Sequence, residues 1–414
     1  MNDITERKKI KRDRLCGGTG HCATCNARTV CRSNSKIDLQ KGKIQLPEDV
    51  LWSDEFFNKA GRGGPLGVAF DIGSTTMAAM FWDLSRKDRT PLAACSTKNP
   101  LTSFGPDVIS RIEYAGGDRK RIGEMQYLLV EQMNRMIGEM TTEAVGRISA
   151  VGNPTMMHFL FGKDPSGLAI APFRGEDLPL EINAEELGLG QDCAWKLMEG
   201  TMLRTLPVMG GHLGADAAAV MLALRLPEKK QPVIAIDIGT NGELILTDGR
   251  GQLWGCSTAA GPAFEGGSIT PGSKFIDTAA TMLVQGWMDE EGTVGGHALL
   301  TQNDIRLLQT AKGAVAAGIE ILTEAAGLKT TEHICLAGTF GNHIRPESAV
   351  RIGLLPKNTE ITGCGNAAGA GASMILLSDE EWDRGCCWAK QVRHVELADQ
   401  PHFTEAFLRN MYFR

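Results

Sequence analysis

The chain has 414 residues, 43% of them apolar and 22% charged, with a formal net charge of −6, a balance suited to two or three soluble domains with a sizeable core. That charge argues against a nucleic-acid partner, and the most apolar windows, such as 206–226, are interrupted by His212, Asp216 and Arg225, which argues against a membrane span. Eleven cysteines with no apolar leader segment point to a reducing compartment, the cytoplasm, with thiols free or bound to metal.

In chain order, the basic run KKIKRDR at 8–14 reads as a solvated tail, with a docking patch for an acidic partner as the alternative. Residues 1–45 form a cysteine-rich module. Cys16, Cys22, Cys25 and Cys31 follow the pattern C-x5-C-x2-C-x5-C, and Gly17, Gly18 and Gly20 let the first loop wrap so that four thiols converge on one centre. Residues 46–66 run through Pro47 and AGRGGP and read as a linker.

From residue 67 the sequence repeats one construction. GVAFDIGSTTMAAMFWDL (67–84) reads as strand, tight glycine turn and strand, and VIAIDIGTNGELILTDG (233–249) reads the same way, with Asp71 matching Asp237 and Gly73 matching Gly239. Each hairpin is followed by an amphipathic helical stretch, at 126–140 and 303–325. Each helix then leads into a short strand and a polar glycine loop, ISAVGNPTM (148–156) and ICLAGTFGN (334–342). Four successive elements recurring in order predict two α/β lobes, 67–230 and 231–414, built as copies of one unit.

The two turns have the chemistry of a phosphate clamp. Gly73 and Gly239 allow a turn tight enough for successive amides to converge on an anion. Ser74, Thr75 and Thr76 in one hairpin, with Thr240, Asn241 and Gly242 in the other, supply short donors and close backbone approach. Asp71 and Asp237 would be repelled by phosphate, so their expected role is to hold Mg2+ or its waters. The strand-end loop Gly338, Thr339, Phe340, Gly341 and Asn342 suits a flat base and ribose. Asp216 is expected either to orient an attacking water or to serve as a helix-start acid. Glu243 faces the cleft or not according to strand alternation, and Asp107 either positions metal-bound water or caps a helix.

KNPLTSFGPDVISRI (98–112), VGNPTMMHFLFGKDPSGLAIAPF (151–173), GADAAAVMLAL (214–224), CSTAAGPAFEGG (256–267) and LAGTFGNHIRPESAVRIGLLP (336–356) together resemble the ATP-dependent reductive activators of corrinoid proteins. The resemblance covers about residues 67–414. It implies two ribonuclease-H-like α/β lobes of the actin, sugar-kinase and heat-shock ATPase superfamily around an ATP and Mg2+ cleft. It also implies reduction of a partner's Co(II) corrinoid to Co(I), with an upstream low-potential electron donor and an iron–sulfur cluster. CGGTGHCATC (16–25) resembles the cysteine loop of a [2Fe–2S] domain. With few residues before Cys16 and Cys31 as the nearest fourth ligand, [4Fe–4S], an exposed [2Fe–2S] and zinc all stay open. Longer relatives carry a further glycine-rich segment after the position of Gly267, whose shortness here bears on ATP turnover rather than binding. The rival readings are an activator of another low-potential metalloenzyme, a nucleotide-binding scaffold, and a small-molecule kinase. A homodimer is compatible with all of them.

Overall fold

The computed structural model describes residues 40–42, 66–85, 92–259, 261, 272–341 and 344–413, with the backbone alone at 40–42, 272–273 and 339–340. Cys16, Cys22, Cys25, Cys31, the linker up to residue 65, residues 262–271 and Asn342 lie outside the described residues.

Two mixed sheets organise the molecule. The first contains β1 (Gln40–Gly42), β2 (Leu66–Ile72), β3 (Thr76–Asp83) and β4 (Ala93–Lys98). After helices α1 (Val108–Ala115) and α2 (Arg119–Met140) come β5 (Ala144–Gly152), α3 (Pro154–Leu160), β6 (Glu181–Asn183), α4 (Ala184–Leu187), β7 (Lys196–Leu197) and β8 (Met202–Arg204). Helix α5 (Ala215–Ala223) leads to the second sheet: β9 (Val233–Ile238), β10 (Gly242–Thr247) and β11 (Leu253–Thr258). Helices α6 (Gly272–Val284) and α7 (Gln302–Ala325) precede β12 (His333–Ala337), the short turn of helix α8 (Gly338–Gly341), α9 (Pro346–Arg351) and β13 (Glu360–Gly363). The chain closes with α10 (Ala367–Leu377), α11 (Asp379–Ala389), β14 (Val392–His394) and α12 (Phe403–Met411).

The strand order is β1-β4-β3-β2-β5-β8-β6 in the first sheet, with β7 beside β5, and β13-β12-β9-β10-β11-β14 in the second. In each, three antiparallel strands are joined on one side by parallel ones, β5 against β2 and β12 against β9. The two sheets therefore share the ribonuclease-H-like arrangement that the duplicated sequence predicts. Both central strands are almost wholly apolar (LGVAFDI and VIAIDI), as strands covered on both faces must be.

Helix α10 comes late in the chain but packs on the first sheet. Every residue of AAGAGASMILL is buried; the Trp82 indole donates to Ser373 Oγ at 3.1 Å, and the Ser149 hydroxyl to the Ala372 carbonyl at 2.6 Å. It crosses α5 at small residues. A Cβ on Gly371 would stand 2.2 Å from the Ala219 carbonyl oxygen, so the backbones touch and any larger residue would force them apart.

Candidate functional site

The first hairpin turns at Gly73, where a Cβ would lie 2.8 Å from the Thr76 carbonyl. Its next carbonyls are all drawn back into the lobe. Asn99 Nδ2 donates to the Gly73 oxygen, Arg111 Nη1 to that of Ser74, and the Asn99 backbone N–H to that of Thr75, each at 2.7 Å. In a trans peptide the N–H points opposite to the C=O, so fixing these oxygens turns the Ser74 and Thr75 amides the other way, as an anion cradle needs. Asn153 Nδ2 also donates to the buried Ser74 hydroxyl, at 2.8 Å. Asn99 and Asn153 each precede a proline and start the following helical turn, with side chains accepting from Leu101 and Met156 N–H groups. Asp107 caps α1 by accepting from Ser110 N–H at 2.8 Å, the structural one of its two expected roles.

The second hairpin closes on itself, the Gly239 N–H donating to the Asn241 carbonyl at 2.9 Å. Antiparallel register sets Glu243 opposite Asp237, so the two acids share one face of the sheet. Gly242 is buried, where a Cβ would stand 2.7 Å from Thr258 Oγ1. Gly338 has φ +88°, and its missing Cβ would sit 2.4 Å from Asp237 Oδ1; only glycine admits the carboxylate so close. Thr339, Phe340 and Gly341 continue as α8. The two hairpins face each other, with Thr75 Oγ1 and Thr240 Oγ1 3.4 Å apart; Thr76 is exposed beside them.

Four acids meet in the cleft between them. Asp71 is next to last in β2, Asp237 next to last in β9, Glu243 second in β10, and Asp216 lies in the first turn of α5, accepting from the Ala217 N–H at 2.8 Å. Lost hydration raises Asp71 to about 6, with the Asn366 amide, 2.9 Å from its Oδ2, pulling it back. Burial and the neighbouring Asp71 raise Asp216 to about 7, and burial with both aspartates raises Asp237 to about 8. Glu243 is held well above the carboxylate range, by burial first and then by Asp216 and Asp237. Acids that resist ionisation because they are buried, and for Asp216, Asp237 and Glu243 also because they lie near other acids, form a site short of positive charge. Among the described residues no three His, Cys, Asp or Glu side chains converge as direct ligands of one metal. The four acids offer oxygen donors only, which suits Mg2+, an ion that keeps several waters and binds through them and through phosphate oxygens.

The structure thus brings together Asp71, Asp216, Asp237, Glu243, Thr75, Thr240, Gly239 and Gly338. The expectations at Cys16, Cys22, Cys25, Cys31 and Asn342 fall outside the described residues. Sequence reasoning missed Asn99, Arg111, Asn153 and Asn366. The two Asn–Pro pairs were a readable signal of capped turns; nothing local marks Arg111 or Asn366. No helix of the described residues is long and apolar enough to cross a membrane.

Comparison with known proteins bears on the whole of this region. The middle region of RACo matches residues 66–229, and the C-terminal domain of RACo, the ASKHA domain, matches residues 231–283 and 276–414. The corrinoid activation enzyme RamQ of Eubacterium limosum is 30% identical over 437 aligned positions, covering 84% of this chain and 70% of that protein. The Co(II) methylated amine-specific corrinoid protein reductase of Methanosarcina barkeri is 24% identical, covering 83% and 76%. A solved reductive activator for corrinoid, iron–sulfur protein superposes with a TM-score of 0.75 at 23% identity, over 86% of this chain and 67% of that one.

Proposed function

The chain belongs to the RACo family of corrinoid activators, and from that membership we propose that it is an ATP-dependent reductive activase for a corrinoid protein. It returns the partner's Co(II) to Co(I) with one electron from an upstream low-potential donor, while ATP is hydrolysed to ADP and phosphate. The observation that carries the nucleotide half is the four-acid cluster between two facing phosphate hairpins. The redox half rests on the relatives.

Within the cleft, the amides and hydroxyls of Ser74, Thr75 and Thr76 take one side of the phosphates, and the donors of Thr240 and Asn241, with the close backbone approach that Gly239 and Gly242 allow, take the other. Asp71 and Asp237 would hold Mg2+ through its waters, and the ion when bound would supply the charge that neutralises the phosphates. Glu243 would face the same ion, and Asp216, at the start of α5, would orient an attacking water. The loop 338–342 takes the nucleoside. Cys16, Cys22, Cys25 and Cys31 would hold an iron–sulfur cluster, [4Fe–4S] or [2Fe–2S], which when bound supplies one-electron transfer. ATP is needed because each ~59 mV of unfavourable potential costs a factor of ten in a one-electron equilibrium. The cytoplasm is the compartment that suits free thiols and such a cluster.

The test is anaerobic reduction of a Co(II) corrinoid protein in a single turnover, with and without ATP, by wild type and by Asp237→Ala and Cys22→Ser. Wild type should form Co(I) only with ATP. Asp237→Ala should lose turnover but keep its iron, and Cys22→Ser should lose iron, inorganic sulfide and reduction but keep ATP binding. Stoichiometric zinc with no iron after anaerobic purification and reconstitution, or Co(I) formation indifferent to ATP, would refute the activase.

A further inference from the structure

We propose that Asn366 is a positioning residue that sets Asp71 from the far end of the chain and ties that setting to the nucleoside-side loop at Gly338. The inference rests on the reading of Asp71 as part of the Mg2+–nucleotide site.

Asn366 is 7% exposed and stands between β13 and α10. Its Oδ1 accepts from the Gly369 N–H at 2.7 Å and so caps α10. With the oxygen committed to a backbone N–H, the amide has one orientation, and its nitrogen faces Asp71, donating to Oδ2 at 2.9 Å across 295 positions of sequence. One residue earlier, the Gly365 carbonyl accepts from the Gly338 N–H at 2.9 Å. Gly338 is the residue whose absent side chain leaves room for Asp237. Two hydrogen bonds therefore connect the turn expected to meet the nucleoside with the carboxylate expected to meet the cation.

The residue type suits the task. A lysine beside four acids would neutralise them and compete with a divalent cation. An amide supplies one donor and no net charge, so it orients Asp71 and leaves the site's negative charge for Mg2+. Because β12 and β13 belong to the second sheet and Gly338 directly follows β12, whereas α10 packs on the first, Asn366 sits where displacement of one lobe against the other is felt by Asp71.

The test measures ATPase rate against Mg2+ concentration in the full-length protein for Asn366→Ser, Asn366→Asp and Asp71→Asn. Ser and Asp both cap helices well, so the first two variants separate the cap from the contact to Asp71. Asn366→Ser should keep the wild-type melting temperature and need about tenfold more Mg2+ for half-maximal rate, the size of one hydrogen bond to a charged group. Asn366→Asp, which sets a like charge against Asp71, should lower kcat further at an unchanged melting temperature. A wild-type Mg2+ dependence in Asn366→Ser, with Asp71→Asn impaired, would overturn the inference and leave the site standing. A lowered melting temperature in both Asn366 variants with unchanged Mg2+ half-saturation would mark a mere helix cap and overturn it too. Unimpaired Asp71→Asn would remove the site reading itself.

Discussion

The two hairpins proposed to clamp phosphate are copies in backbone but not in support. The first is held from outside: Asn99, Arg111 and Asn153 reach in from three different elements and fix its carbonyls and the Ser74 hydroxyl. The second is held by its own turn and by Thr258, whose hydroxyl donates to the Gly242 carbonyl at 3.2 Å from the adjacent strand. Duplication gave both halves the same way of presenting amides; the stiffness of each was then set by what packs beneath it. The first reads as a prebuilt cradle, and the second as the half that adjusts around ligand.

Removing an acid from either side should have the largest effect. Asp71→Ala and Asp237→Ala are each expected to lose roughly 10²-fold or more in Mg2+–ATP turnover while keeping a native circular dichroism spectrum, since the proposed role of both acids is to hold the ion and not the core. A wild-type rate in one variant alone would mean that the clamp is one-sided.

The supports come next. Arg111 is wholly buried, and its Nε also donates to the Gly105 carbonyl at 3.0 Å. Arg111→Met strands two carbonyls at about 1–3 kcal/mol each, so a melting temperature lower by several degrees and a raised KM for ATP are expected. Thr258→Val, its counterpart beneath the second hairpin, should shift both far less. Equal losses would abolish the distinction between the two supports.

Proton linkage should give a smaller signal. Carboxyls with raised pKa favour folding while protonated, fully so below about pH 4. That advantage is lost as pH rises through about 6, 7 and 8 for Asp71, Asp216 and Asp237. Nucleotide-free protein should therefore melt lower at about pH 8.5 than at about pH 6. Mg2+–ATP favours the ionised acids, so its binding near neutral pH should release protons, measurable by calorimetry in buffers of different ionisation heat. Binding without proton release would show that the acids do not share one ion.

The smallest effect separates the hairpins most finely. On adding ATP, hydrogen exchange should slow at 237–243 and 338–341 more than at 71–76, because the first turn is already fixed. A larger change in the first hairpin would reverse the assignment of rigid and adaptive halves.

Much of this was legible in the residues. The paired Asp-Ile-Gly turns gave both hairpins, and alternation left Glu243 with two choices, which the register opposite Asp237 decides. Helix α2 begins at Arg119, well before the amphipathic stretch at 126–140, because Asp118 caps it there. What stayed hidden depends on contacts between remote segments. AAGAGASMILL is apolar on every face, which says that it is buried but not against which sheet. Arg111 reads as a surface charge until one of its partners is seen to be the Ser74 carbonyl, in a turn 37 positions away. Asn366 looks like one more polar residue in a glycine loop, since its carboxylate partner is 295 positions distant.

The contact of α5 and α10 at Ala219 and Gly371 has a mechanical consequence. No side chain there is long enough to interlock, so a scissor rotation about that point disturbs only grazing contacts. Along the helices, at ~1.5 Å per residue, Asn366 lies about 7.5 Å from the contact and Asp216 about 4.5 Å. A rotation of about 10° would sweep Asn366 by roughly 1.3 Å and Asp216 by roughly 0.8 Å. The longer arm carries Asn366, whose amide donates to Asp71 at 2.9 Å. The crossing is a pivot with unequal arms, so a given angle between the two helices displaces Asn366 further than Asp216.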